Sequence, residues 1–256
     1  LAGEFQNLNL PFTKHSSYAS ESELELSKIM AASTRTGWPV EDPLRLIPRI
    51  LRKLYSFWLK WTYPFGSCGP GLSVHYTCRI SRCTAPSIRL GKSVCVSKDT
   101  WLNAINLIKG EDRLILEDNV LIGARCQLSA KNCIHVERNV IIANGALIMD
   151  HNHAYEETTI PIVEQGVTEG GRVRIGEGTW IGHGAVILCD KSELTIGRNC
   201  VIGANAVLSR SVPSYSVVLG NPGRVVRQFD PVRQTWTVGS VRSVAESVDK
   251  ETAVVS

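Results

Sequence analysis

From Leu116 onward, aliphatic residues recur every six positions. They run Leu116, Ile122, Leu128, then Val136, Ile142, Ile148, and after a gap Ile175, Ile181, Ile187, then Ile196, Ile202, Leu208. Steps of eight or nine residues separate consecutive groups of three. Small residues follow many of them, at Gly123, Ala143, Gly176, Gly182, Gly197 and Gly203. Helices repeat apolar positions every three to four residues and strands every two, so neither alone yields a period of six. Eighteen residues per coil with a few extra at one corner describes a chain wound as a triangular prism. Each hexad makes one flat face, its aliphatic residue points inward, and the small follower is expected to let the backbone turn the next corner. Stacked at roughly 4.8 Å, such coils form parallel strands on three sides. The expected class is therefore mainly β, a parallel solenoid. Gly and Asn at fixed offsets argue against a long helix, and a sandwich of short strands does not account for hexads that keep phase across a break.

The flanks differ in character. Residues 1–42 are polar and rich in Ser, Thr and Glu, which predicts a mobile arm with a short helical stretch near Glu21–Ala31. Residues 43–66 predict an amphipathic helix ending at Pro64 and Gly66. On it Arg49, Lys53, Ser56 and Lys60, with Arg52 adjoining, fall on one face, and Ile50, Leu54, Phe57, Trp58 and Trp61 on the other. Two roles fit: a cap over the open end of the solenoid, or peripheral contact of residues 49–63 with an anionic membrane. The solenoid is expected over 67–228, with irregular early coils carried by Leu72, Val74, Ile80, Ile88, Leu90 and Val96. A corner insertion is expected at Ile105–Arg113 and a long loop at 149–174. The tail, 229–256, alternates Val and Ser and is open between helix, edge strand and disorder.

Composition adds two points. The net charge is only +4, yet no Asp or Glu lies between Pro43 and Lys98, where ten Lys and Arg residues fall. That one-signed segment points to an anionic neighbour such as a lipid surface, a charged glycan or a phosphorylated carrier. It carries no recognition-helix motif, so no specific nucleic-acid partner is expected. The eight cysteines form no C-x-x-C pair and no zinc-type spacing, which favours reduced thiols. No charged-then-apolar leader and no membrane-length apolar run is visible. The expected location is cytoplasmic, with the inner membrane face as an extension.

The rhythm breaks at D-H-N-H-A-Y-E-E, Asp150 to Glu157. Long loops in compact folds are commonly functional. On an extended backbone His151 and His153 would point to the same side. Histidine suits proton removal from a hydroxyl near neutral pH, and Asp150 or Glu156 could fix the required tautomer. A three-nitrogen zinc site from His151, His153 and His183 is the competing reading, and no metal is the preferred one.

In order, D-H-N-H, T-W-I-G-H-G-A-V-I (Thr179–Ile187), I-G-A-N-A-V-L (Ile202–Leu208) and G-N-P-G-R-V-V (Gly220–Val226), with P-I-V-E-Q-G in the loop, resemble the left-handed β-helix, hexapeptide-repeat acyltransferases. The nearest branch is that of maltose, galactoside and capsular or exopolysaccharide O-acetyltransferases, and the resemblance covers about Leu116–Arg227. It implies a left-handed coil, a homotrimer with sites in the clefts between subunits, acetyl-CoA as donor, and a sugar hydroxyl in polysaccharide, capsule or lipopolysaccharide synthesis as acceptor. It further implies His151 as the base, with His153 as the runner-up or an acceptor partner, and Asp150, Tyr155 and Glu156 beside the acceptor. Trp180 matches the tryptophan along the pantetheine arm, Gly203 and Ala204 its small neighbours, and Ser209, Arg210, Arg224 and Arg227 the grip on the nucleotide end. Gly223, where alanine is common, and the longer corner Asp190–Thr195 depart from the pattern. N-acetylation of an amine, a γ-carbonic-anhydrase-like zinc lyase and a silent scaffold are the alternatives.

Overall fold

Each inward aliphatic of the hexad pattern stands above its equivalent in the next coil. In the computed structural model, which describes residues 46–105 and 111–238, six coils stack as three parallel sheets. Coil 1 holds β1 (Ser67–Cys68), β2 (Ser73–Val74) and β3 (Arg79–Ile80), and coil 2 holds β4 (Ile88–Leu90), β5 (Cys95–Val96) and β6 (Trp101–Ala104). Coil 3 holds β7 (Leu114–Leu116), β8 (Leu121–Ile122) and β9 (Gln127–Ala130), and coil 4 holds β10 (Cys133–Val136), β11 (Ile141–Ile142) and β12 (Leu147–Met149). Coil 5 holds β13 (Arg172–Ile175), β14 (Trp180–Ile181) and β15 (Val186–Leu188), and coil 6 holds β16 (Glu193–Ile196), β17 (Val201–Ile202) and β18 (Val207–Leu208). The first strands of the coils form one sheet, the second strands another, and the third strands the last.

The register makes three aliphatic columns. Leu116, Val136, Ile175 and Ile196 pair in sequence. So do Ile122, Ile142, Ile181 and Ile202, and Leu128, Ile148, Ile187 and Leu208. All twelve are buried, and each contributes roughly 1.5–3 kcal/mol of apolar burial. The early coils are more regular than expected. Leu90, Val96 and Leu102 extend the same three columns, and Val74 and Ile80 continue two of them.

The corners work differently from the expectation. The left-handed backbone falls three residues after the inward aliphatic, at Asn139 (φ 60), Gly145 (φ 73), Gly178 (φ 69), Gly184 (φ 64), Asn199 (φ 51) and Asn205 (φ 57). Asn and Gly accept that conformation most readily. The small follower itself is small because the next coil's backbone passes over it. A Cβ at Gly123 would lie 2.6 Å from Asn144 N, and one at Gly182 2.7 Å from Ala204 N.

Helix α1 (Leu46–Thr62) closes the first coil. Ser56 Oγ lies 2.9 Å from Val74 N, which donates to it, and 3.2 Å from Val74 O, while Arg52 Nη2 donates to Ser73 O at 3.2 Å. Leu59 is fully buried in the solenoid core, with Tyr55 and Tyr63 packed against it. Ser56 thus faces the coil rather than sharing the basic face, and the helix has three faces, not two. Beyond β18 the chain adds β19 (Ser216–Leu219), then the antiparallel strands β20 (Arg224–Asp230) and β21 (Thr235–Val238), so the tail continues as sheet to Val238. The expected arm 1–42, most of the 105–113 insertion and the tail after Val238 lie outside the described residues. Replacing Leu59 with Ala should lower stability by about 2–4 kcal/mol in urea unfolding; a change within error would mean that α1 does not cap the core.

Candidate active site

The chain leaves β12 at Met149 and rejoins the stack at Arg172. Between them a loop projects, carrying a short helix α2 (Ile162–Gln165) near its tip and a bridge between His153 and Val167 at its neck. The neck is closed by Asn152 N donating to Thr168 Oγ1 at 3.0 Å, Thr168 N to Asn152 O at 2.8 Å and Gly171 N to Asp150 O at 2.6 Å. The preceding corner also holds it: Lys131 Nζ donates to Thr168 O, and Asn132 Nδ2 to Glu169 O at 2.9 Å. Gly170 has φ +81, and a Cβ there would lie 2.7 Å from Asp150 O. Glycine is the residue this return requires.

Asp150 is the hub. It is fully buried. Its Oδ1 accepts from Lys131 N at 2.7 Å, and its Oδ2 from Asn132 N and Cys133 N at 2.8 Å each. The same Oδ1 is 2.9 Å from His151 Nδ1. A carboxylate oxygen accepts in that contact and Nδ1–H donates, so in a neutral ring the lone pair falls on Nε2. His151 is 5% exposed. The buried side-chain nitrogens and oxygens that lack a partner are Arg52 Nε, Arg113 Nε and Ser216 Oγ among the described residues.

The other expected residues are spread over the molecule. His153 is exposed, unlike His151, so the two rings do not share an environment. Tyr155 is exposed, and Glu156 lies 3.9 Å from Lys191 Nζ. Both line a cleft of ≈ 820 Å³ between the loop and residues 190–191, together with Ile160, Gln165 and Thr168. Asp150, expected beside the acceptor, has all its contacts inside the protein. Trp180 is half-exposed on the outer side of β14. Through pairing it heads a column Trp180, Val201, Val217, Arg227, three strand spacings or roughly 14 Å long. A bulge in β20 sets Arg224 opposite Leu219 and Arg227 opposite Val217, which puts both guanidinium groups on one side. Arg227 also lies over the Trp236 ring at 5.3 Å. Ala204, Ser209 and Arg210 are exposed at the corners flanking β18. Gly203 packs under Leu219, whose Cδ2 would be 2.3 Å from an added Cβ.

One chain does not unite these sets. His151 stands at the corner between the third-strand and first-strand sheets, whereas Trp180 and Arg227 belong to the middle sheet. His183, in the corner after β14, is on yet another edge. No group of three His, Cys, Asp or Glu side chains suited to a metal comes together among the described residues. Two thiols adjoin Asp150. Burial pushes Cys133 above its ordinary value, with Arg172 opposing and Asp150 adding, and burial likewise raises Cys189. Both are protonated at neutral pH and ill-suited as nucleophiles.

A family profile described as the hexapeptide repeat of succinyl-transferase matches residues 113–149, 172–210 and 193–221. Hexapeptide repeats are thus matched over residues 113–149 and 172–221. The gap in the match, between 149 and 172, is the projecting loop. Among curated relatives, this chain is 30% identical over 159 residues to the probable acetyltransferase Rv3034c of Mycobacterium tuberculosis, covering 62% of this chain and 48% of that protein. It is 25% identical over 133 residues to the putative lipopolysaccharide biosynthesis O-acetyl transferase WbbJ of Escherichia coli, covering 50% of this chain and 66% of the other. The chain thus spans about half the length of the first relative. Among solved structures, the N-acyltransferase AntD of Bacillus cereus, in complex with dTDP and 3-hydroxybutyryl-CoA, superposes with TM-score 0.55 at 18% identity, covering 67% of this chain and 86% of that one. That likeness is one of fold.

Sequence reasoning missed the amides of Lys131, Asn132 and Cys133, as well as Thr168 and Gly170. Backbone donors leave no residue-type signal, but the Gly170–Gly171 pair at the loop's return was visible. Asp150→Ala would leave three part-buried N–H groups without their carboxylate acceptor, so a loss of about 2–4 kcal/mol is expected in urea unfolding. Asp150→Asn, which keeps an acceptor oxygen, should lose less; equal, small losses in both would show that the amides do not depend on the carboxylate.

Proposed function

We propose that the protein is an acyltransferase that moves an acetyl group from acetyl-CoA to a sugar hydroxyl, with His151 as general base. The observation that carries this reading is the buried contact of Asp150 Oδ1 with His151 Nδ1 at 2.9 Å, in a carboxylate already anchored by three amides. It leaves Nε2 as the proton acceptor. The similarity to acetyltransferases, one of them in lipopolysaccharide biosynthesis, supports the reaction class and the acceptor class.

The acceptor hydroxyl gives its proton to Nε2 as its oxygen attacks the thioester carbonyl carbon. The imidazolium formed is stabilised by Asp150, which stays ionised. As the tetrahedral intermediate collapses, the C–S bond breaks and the Nε2 proton passes to the departing sulfur. The products are the O-acetyl sugar and free CoA, and no acyl-enzyme forms. The outer column from Trp180 to Arg227 has the right chemistry for the donor: an apolar run beside the pantetheine arm, then guanidinium groups for phosphates. Tyr155, Glu156 and His153 are the candidates for the acceptor side, and Asp150 is a positioning residue.

Because base and donor column occupy different faces of one prism, this reading calls for a second subunit, as in a homotrimer. The outer residues Leu147, Met149, Val186 and Leu188 of the third-strand sheet are apolar and only partly exposed, suited to such contact. His151→Ala should reduce kcat by about 100-fold or more while leaving thermal stability and CoA binding near wild type. Near-normal turnover would reject the base assignment. The subunit claim has its own test. Refolding His151→Ala together with Arg224→Glu/Arg227→Glu should restore up to about one quarter of wild-type activity through mixed interfaces. Activity no greater than the sum of the two variants alone would place the whole site in one chain.

A further inference from the structure

Helix α1 does more than cap the solenoid. Successive residues turn by about 100°, so its side chains sort into three faces. Arg52, Ser56 and Leu59 press on coil 1. A second face remains open: Ile47 is 64% exposed, Leu54 61%, Phe57 65%, Trp58 49% and Trp61 75%, with Ile50 and Leu51 beside them. These positions recur at the three- and four-residue spacing of one continuous stripe some four turns long. Along its edge lie Arg49, Lys53 and Lys60, and the helix contains no Asp or Glu. A stripe of seven large apolar residues on one exposed helix is unusual in a protein that meets only water.

We infer that this stripe docks on a bilayer surface bearing anionic phospholipid headgroups. The chemistry selects that occupant. Two tryptophans and a phenylalanine suit the boundary between headgroups and acyl chains, and flanking lysines can keep their ammonium groups among phosphates while their stems cover apolar surface. The acid-free stretch from Pro43 to Lys98 surrounds the helix in sequence and leaves little to repel a negative surface. No helix among the described residues is long and apolar enough to cross a membrane, so the contact is interfacial. The candidate base lies three to four coils from the capped end, roughly 14–19 Å along the stack, within reach of a saccharide carried on a lipid.

The test uses the full chain and sedimentation with vesicles, either of phosphatidylcholine alone or with about one third phosphatidylglycerol. Wild type should bind the anionic vesicles at least ~10-fold more tightly, and added salt should weaken binding. Phe57→Asp/Trp61→Asp should reduce that affinity at least ~10-fold with an unchanged unfolding midpoint, since both side chains are largely exposed. Lys53→Glu/Lys60→Glu should abolish the preference for anionic lipid. Equal binding to both vesicle types, or wild-type binding by Phe57→Asp/Trp61→Asp, would overturn the inference. So would a lipid-free wild-type assembly that this variant dissociates, because a second copy of the chain would then cover the stripe.

Discussion

A stacked coil can lengthen only at a corner, and the added chain must re-enter with every inward side chain still in its column. That constraint governs this molecule. Between Ile148 and Ile187, neighbours in one column, the chain makes its longest described excursion, and the Asp150 carboxylate stands where it departs. Through Lys131, Asn132 and Cys133 it fixes the corner below, and its own carbonyl receives Gly171 as the loop returns. The oxygen left partly free then orients His151. Closing the loop and aiming the imidazole are one set of hydrogen bonds, so the ring's direction follows from the fold's requirement for register. A buried charge held by three amides and an imidazole is also the arrangement least tolerant of losing a partner.

Much of this was legible in the residues. The hexads from Leu116 gave the three columns and the break gave the loop, because a period of six with small followers admits few geometries. Coils 1 and 2 were harder to read. Their inward positions include Cys68, and the steps from Ile80 to Leu90 and from Leu102 to Leu116 hide the period behind long corners. The small follower was visible but its cause was not. Closeness between coils is a tertiary fact, whereas the left-handed turns are marked locally by Asn and Gly. At the site, side-chain types pointed to Asp150 and His151, but nothing in the sequence could reveal that the carboxylate is filled by backbone donors. Nor could alternation on an extended strand foresee that His153 would be exposed while His151 is buried, since the strand ends at Met149, before either residue.

The prism also divides labour by face. The outer side of the first-strand sheet is polar, with His135–Glu117 and Arg138–Glu177 paired at 2.7 Å at its edge. The middle sheet carries a half-exposed apolar line of Leu121, Ile141 and Trp180 that reaches Arg227 three strands on. The capping helix shows a third kind of surface, apolar and bordered by cations. Polar solvation, coenzyme chemistry and membrane contact would each need a different face, and a triangular solenoid with a capped end offers them without crowding.

Proton removal by His151 requires that Nδ1, and not Nε2, bear the ring hydrogen. Nitrogen-15 NMR of the histidine-labelled protein near pH 8, with His151→Ala to assign the resonance, reads this directly. A protonated-type shift at Nδ1 and an unprotonated, pyridine-type shift at Nε2 are predicted. The opposite tautomer, or a ring averaging freely between the two, would contradict the account.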